Sequence, residues 1–267
     1  MKSIRSLYGK VILLIFILAT VTGLAACSQP KHKQDLLEKV TQRGRIIVGV
    51  KYDSKPFGYI DENQKLQGFD IDLVRELAKR ILGNENAVEF QQVTSSSRII
   101  SLTSGTVDMV SATMTINDKR KRVIDFSSPY YIAGQALMIH KNSNIASIKD
   151  LNGRKVIVIL GSTAEENIRM LAPNASILGF RTYTDAFSSL RAKRAEALTT
   201  DDVIIAGLLS EDSNYKMLKE RYTKEPYGIG FKKGDDTVAF QGSVNVALES
   251  MKNDGTLEQI RRKWMPY

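Results

Sequence analysis

The chain has 267 residues, with 38 Lys or Arg against 29 Asp or Glu, and a formal charge of +9. A single cysteine rules out an intramolecular disulfide framework, and two histidines without metal-ligand spacing leave no cofactor or metal to expect. The positive balance fits an anionic membrane surface or an anionic solute. No nucleic-acid-binding motif accompanies it, so nucleic acid is not an expected partner.

Lys2, Arg5 and Lys10 precede an apolar run from Val11 to Leu24 that ends in Leu24-Ala25-Ala26-Cys27. A charged start, a short apolar segment and a small-residue end are the parts of a secretion signal, here residues 1–26. The run falls short of the about 20 residues that a membrane span takes. Its removal takes three basic residues and no acidic one. Cys27 directly after Leu-Ala-Ala resembles a bacterial lipobox, which implies cleavage before Cys27 and lipid on its sulfur and amine. Two or more acyl chains give lasting attachment where one gives marginal binding. The expected location is therefore extracytoplasmic and lipid-anchored: the outer face of a Gram-positive membrane, or the periplasmic side in a Gram-negative cell. Residues 27–39 are the lipidated start and a polar tether.

After the tether, Ile46-Ile47-Val48-Gly49-Val50 is short, apolar and β-branched, the pattern of a buried strand. Leu73, Val74, Leu77, Ala78, Ile81 and Leu82 recur at helical spacing behind Asp70, and Gly83 stops that helix. A short helix over Arg98 to Ser104 leads through Gly105 into a strand over Val107 to Val110. The alternation resumes with a strand at Lys155 to Ile159 and a helix near Ala164 to Leu171. A helix near Asp185 to Lys193 and a strand at Ala197-Leu198 follow. Strand and helix in repeated alternation predict an α/β fold with mostly parallel sheets covered on both faces. Ligands of open α/β sheets sit beyond the carboxyl ends of the strands, which directs attention to Lys51–Asp53, Ser111–Thr115, Gly161–Ala164 and Thr199–Asp202.

Several motifs in order carry a family resemblance. They are Val50-Lys51-Tyr52-Asp53-Ser54-Lys55-Pro56-Phe57-Gly58-Tyr59, Gly68-Phe69-Asp70-Ile71-Asp72-Leu73, Ala112-Thr113-Met114-Thr115-Ile116, and Arg120-Lys121-Arg122-Val123-Ile124-Asp125-Phe126-Ser127. Pro129-Tyr130-Tyr131, Gly161-Ser162-Thr163, Asp201, Tyr227-Gly228-Ile229 and Arg262-Lys263-Trp264 complete the set. The chain resembles the polar amino-acid binding proteins of ABC importers, close to the glutamate, aspartate and glutamine binders, over nearly all its length after the signal.

The resemblance implies a type II periplasmic-binding-protein fold, two α/β lobes joined by a two-segment hinge, with residues 40–130 plus 228–267 as lobe 1 and 131–227 as lobe 2. It implies a free amino acid as ligand, an ABC permease and its ATPase as partners, and a monomer. A free amino acid presents a carboxylate and an ammonium, and a bidentate guanidinium suits the carboxylate. Arg120 stands at the family's position for it, with Thr115 beside it. Asp201 matches the family's acceptor for the ammonium, with the Thr113 carbonyl as second contact. Asp202 is assigned to helix capping or solvent. Met114, Thr163 and Ala164 complete the set, the last two at a strand-to-helix turn whose first N–H groups suit a carboxylate. The family usually has glycine at Ala164. Lys51, which acid-binding members share, and Arg98 then imply an acidic side chain on the solute, glutamate or aspartate, with glutamine as the alternative.

Three departures from the family pattern, Asn117-Asp118-Lys119, Ser128 and Ser101, bear on local helix geometry. The rival classes are an enzyme on the same fold, of dehydratase type, and a sensory or adhesive lipoprotein. His32 and His140 join no nucleophile-and-base constellation, so no enzyme is expected.

Overall fold

The computed structural model describes residues 34–265. The secretion signal, Cys27 and His32 lie outside the described residues.

Two five-stranded mixed sheets form the frame. The first runs β5 (Val88–Gln92), β1 (Ile46–Val50), β6 (Met109–Val110), β15 (Gly230–Lys232) and β7 (Ile124–Phe126). The second runs β11 (Ser176–Phe180), β10 (Lys155–Ile159), β12 (Ala197–Asp201), β9 (Gln135–His140) and β13 (Tyr215–Met217). In each sheet four strands point one way and one opposes them, β15 in the first and β9 in the second. Both opposing strands directly follow a crossing between the sheets. The crossings, β8 (Tyr131–Ala133) and β14 (Glu225–Tyr227), pair antiparallel as a two-stranded ribbon with Tyr131 opposite Tyr227. A small hairpin sheet of β2 (Asp53–Ser54), β3 (Gly58–Ile60) and β4 (Leu66–Gln67) follows β1.

Among the helices, α1 (Leu36–Arg43) packs on α8 (Val238–Asn253). Helices α2 (Phe69–Leu82) and α3 (Arg98–Thr103) pack on the first sheet, and a four-residue α4 (Asp118–Lys121) precedes β7. Helices α5 (Thr163–Leu171), α6 (Tyr183–Arg191) and α7 (Asp202–Leu209) cover the second sheet. The helix behind Asp70 ends as the sequence predicts, with Gly83 left-handed at φ 77. The closing Lys263-Trp264 motif has a physical role: in α9 (Thr256–Trp264), Trp264 Nε1 and Lys263 Nζ both reach Asp72 Oδ2 at 2.7 Å, tying the last helix to α2.

Three details differ from the sequence reading. The strand expected over Val107 to Val110 is confined to Met109–Val110, because the Val107 N–H turns back to the Ser101 carbonyl and the Asp108 carboxylate accepts from the Ile47 N–H and Arg43. The helix placed near Asp185 begins at Tyr183, where Thr182 caps it through the Asp185 N–H. The strand at Ala197 runs on to Asp201, since every residue to that point pairs with β9.

Under the ribbon, the Phe57 ring meets Tyr131 and Tyr227 at 5.3 Å and Phe69 at 5.7 Å, all edge-on. Phe57 is fully buried, so truncation leaves a cavity at the junction of both crossings. Phe57→Ala is expected to destabilise the chain by about 3–5 kcal/mol. Urea unfolding checks this; an effect under about 1 kcal/mol would show that the cluster relaxes around the loss.

Candidate functional site

The strand ends of the two sheets face each other across a narrow space. Ser95, Arg98, Thr113 and Thr115 line it from the first sheet's side. Gln135, Ser162, Thr163, Ala164, Tyr183, Thr200 and Asp201 line it from the second. Hydrogen bonds already cross it: Thr115 Oγ1 is 3.5 Å from Thr163 Oγ1, and Arg120 Nη2 donates to the Gly161 carbonyl at 3.3 Å. The described arrangement is a closed one. A larger surface hollow lined by His140, Leu190, Lys193, Glu196 and Tyr215 has its two charged side chains, Lys193 and Glu196, exposed to water.

Each wall is held by local chemistry. Thr113 adopts φ 48, a left-handed conformation that a β-branched residue rarely takes and that marks stored strain. Arg98 and Asp70 hold it there: Arg98 Nη1 donates to the carbonyls of Ala112 at 2.6 Å and Thr113 at 3.1 Å, and the Thr113 N–H donates to Asp70 Oδ2 at 3.3 Å. Opposite, Ser162 caps α5 through the Glu165 N–H, which leaves the first-turn N–H groups at Thr163 and Ala164 without intrahelical partners. The Thr163 hydroxyl donates to Glu225 Oε2 at 2.9 Å and accepts from Gln135 Nε2 at 2.9 Å. Glu225 can only accept, so the Thr163 hydroxyl hydrogen is committed to it and Thr115 is the donor in the 3.5 Å contact across the space.

Six ionisable groups are buried here: Lys51, Asp70, Arg98, Arg120, Asp201 and Glu225. Among the described residues none of them forms an ion pair; the charged partners of the other ion pairs lie elsewhere. Burial pushes the Lys51 ammonium down to about 8, against the pull of Asp53. It pushes Arg98 down to about 9, with the Arg120 charge adding to the effect. Asp201 rises to about 7 by burial, although the Tyr227 hydroxyl donates to its Oδ2 and opposes the rise. Asp70 rises to about 6 for the same reason. These directions share one cause, the loss of water around a charge.

The residues singled out in the sequence divide into two groups. Arg98, Thr113, Thr115, Thr163, Ala164 and Asp201 line the space; Lys51 and Met114 stand behind it, and Arg120 spans its edge, bonded to Thr115 on one wall and Gly161 on the other. Lys51 Nζ donates to Ser95 Oγ at 2.9 Å and lies 5.3 Å from the Tyr183 ring centre, so Ser95 is left to donate its hydroxyl hydrogen. Met114 packs its side chain with Leu102, Val110 and Ile124, and only its backbone is near the space. Arg120 Nη1 donates to the Thr115 carbonyl at 2.7 Å. The Thr113 carbonyl is engaged by Arg98. Asp201 occupies the cap position of α7 without a side-chain cap bond; Asp202 Oδ1 accepts from the first-turn N–H of Val203 at 2.9 Å, and its Oδ2 pairs with Arg221 at 2.8 Å.

Ser95, Gln135, Tyr183 and Glu225 escape sequence reasoning. Ser95 follows β5, a strand whose VEFQQ pattern is half-buried and weakly apolar. With β5 recognised, the strand-end rule would have included Thr94–Ser97. No local pattern marks Gln135 or Glu225, which meet Thr163 only through the fold.

Residues 46–267 match the family described as bacterial extracellular solute-binding proteins, family 3. The chain is 44% identical to the glutamine-binding protein of Geobacillus stearothermophilus, covering 82% of this chain and 90% of that protein. It is 40% identical to the ABC transporter glutamine-binding protein GlnH of Bacillus subtilis, over 93% and 94% of the two chains. An ancestral arginine-binding protein bound to glutamine superposes with a TM-score of 0.79 at 39% identity, over 84% of this chain and 99% of that one.

The raised Asp201 carboxyl has a consequence for stability. The folded chain binds its proton more tightly than the unfolded chain, where the value is 3.8. That contribution is whole below 3.8 and is lost as the pH climbs through about 7. The free chain is therefore expected to melt lower as pH rises from about 4 to 8, and Asp201→Asn to flatten part of the fall and melt higher at the upper end. Calorimetric melts across this range check it; an Asp201→Asn profile parallel to the parent's would remove Asp201 as the cause.

Proposed function

Because the chain belongs to family 3 of the bacterial extracellular solute-binding proteins, we propose that it is the solute-capturing subunit of an ABC importer, closing around one free amino acid whose side chain ends in an oxygen acceptor. Glutamine is the first solute. The observation that carries this is Arg98: a buried guanidinium on the wall of the space, without an anionic partner and with its Nε unbonded, can only donate. Lys51 strengthens the donor wall through Ser95. An amide carbonyl and a carboxylate both answer such a wall, and the names of the 40% and 44% identical relatives favour the amide. Glutamate or aspartate is the second reading, favoured by two buried cations, Lys51 and Arg98, neither of them in an ion pair.

In this function Arg120, Thr115 and the first-turn N–H groups of Thr163 and Ala164 hold the α-carboxylate, with the Met114 backbone at the same edge. Asp201 takes the ammonium. Residues 40–130 with 228–267 act as one lobe and 131–227 as the other, turning about the β8 and β14 ribbon. The solute touches both only when they are closed, so binding shifts the population toward the form a permease recognises. Uphill transport draws its energy from the partner ATPase. The protein works as a monomer and performs no reaction on the solute. Attachment is through lipid on Cys27, outside the described residues; within them no helix is long and apolar enough to cross a membrane.

A thermal-shift screen against all the amino acids, followed by calorimetry and product analysis, tests the reading. Glutamine is expected as the tightest ligand, recovered unchanged; absence of any hit among the amino acids, or a converted solute, refutes it. Arg120→Ala and Asp201→Ala are each expected to cost about 2–5 kcal/mol of binding, because a solute charge is left buried and unpaired. Lys51→Ala is expected to weaken glutamate more than glutamine, and equal losses would remove charge as the discriminator. Palmitate labelling of cells should mark the parent chain and not Cys27→Ala; label on both would place the lipid elsewhere.

A further inference from the structure

The closed arrangement is held at points that line no part of the solute space. Asp53, on β2, accepts from the backbone N–H of Tyr183 at 2.7 Å. Tyr183 is the first residue of α6, whose cap Thr182 serves Asp185 instead. A carboxylate there takes up a helix-end N–H that has no internal partner, and it stands at the positive end of the helix. The carboxylate comes from the first sheet's side and the helix from the second's.

The second point is steric. Gly207 lies inside α7 among Val203, Ile204, Ile205 and Leu208, where glycine is a poor helix former. A Cβ at Gly207 would stand 2.3 Å from the Lys55 carbonyl oxygen and 2.9 Å from its carbon. Both atoms are backbone in the turn between β2 and β3, so they have little room to yield. Lys55 Nζ also reaches Ser210 Oγ, just beyond the end of α7, at 3.2 Å. None of Asp53, Lys55 and Gly207 is among the residues lining the space.

We propose that Asp53 and Gly207 are positioning residues of closure: together they latch the β2 to β3 turn onto α6 and α7, setting how tightly any solute is held, with Gly207 taking no part in choosing it. This rests on the reading that the space takes a solute. The measured affinity is the intrinsic affinity scaled by the fraction of molecules in the binding-competent form. A contact present only on closure raises that fraction equally for every solute, whereas a solute contact discriminates. Gly207 adds a signature of its own. Alanine is the better helix former, so Gly207→Ala favours the helix in the free, open chain and collides with Lys55 only when the sheets close.

The test uses the full chain with Asp53→Ala or Gly207→Ala, titrated calorimetrically with the two tightest amino acids of the screen. Both variants are expected to raise Kd by about 5-fold or more, Gly207→Ala by the same factor for both solutes. The free Gly207→Ala chain is expected to melt no lower than the parent. An unchanged Kd in either variant, or a Gly207→Ala shift confined to one solute, overturns the latch; so does a lower melt for Gly207→Ala, which places the contact in the open form too. If the parent binds no amino acid, the functional reading fails by itself, and amide exchange around Tyr183 in the free chain decides the latch. Faster exchange in both variants supports it, and unchanged exchange overturns it.

Discussion

Charges held out of water without a direct ion pair are the constraint that governs this molecule. Lys51, Asp70, Arg98, Arg120, Asp201 and Glu225 are buried around one space, and burial moves Lys51, Asp70, Arg98 and Asp201 toward neutrality. Such groups are costly unless dipoles or opposite charges replace the lost water. Here the direct partners are neutral. Carbonyls of Ala112, Thr113, Thr115 and Gly161 meet the two arginines, the Ser95 hydroxyl meets Lys51, and the Tyr227 hydroxyl meets Asp201. Opposite charges act on Lys51 and Arg120 only from a distance. A zwitterion with an acceptor at its far end supplies what is missing, and this is the physical content of the proposed amino-acid capture.

The topology suits a space that opens and closes. Among the described residues the chain crosses between sheets only at β8 and β14, and the crossings pair with each other, so a movement of one sheet against the other would concentrate in one short ribbon. The aromatic cluster of Phe57, Phe69, Tyr131 and Tyr227 packs against that ribbon, and Tyr227 also reaches Asp201. One residue thus connects the ribbon to the charged wall. The proposed latch lies apart, at the β2 to β3 turn. At Gly207, tightness could then change independently of selectivity.

The two candidate solutes differ by one charge on a group of nearly the same shape. A donor-only wall binds either, so geometry narrows the solute to an acceptor-bearing one and stops there. What separates them is how far nearby Asp53, Asp70 and Asp201 already compensate Lys51, each of them acting to raise its depressed pKa. That balance is a property of distances, and a substitution on either side would tilt it.

The strands β1 and β10, the helix stopped by Gly83, the α/β class, and the strand ends where Thr113, Thr115, Thr163 and Asp201 stand were legible along the chain. These are local matters: β-branched runs, helical periodicity and punctuation act within a few residues. Asp201 was set apart from Asp202 by motif position alone and not through any local difference between two adjacent carboxylates. It took the packed fold to put Lys51 behind the space and Arg120 across its edge, to bring Ser95, Gln135 and Glu225 to it, and to pair Asp202 with Arg221. The fold alone set Gly207 against Lys55, residues 152 positions apart by their numbers. Side-chain partners across a cleft are chosen by how two sheets meet, and no period along one chain segment encodes that meeting.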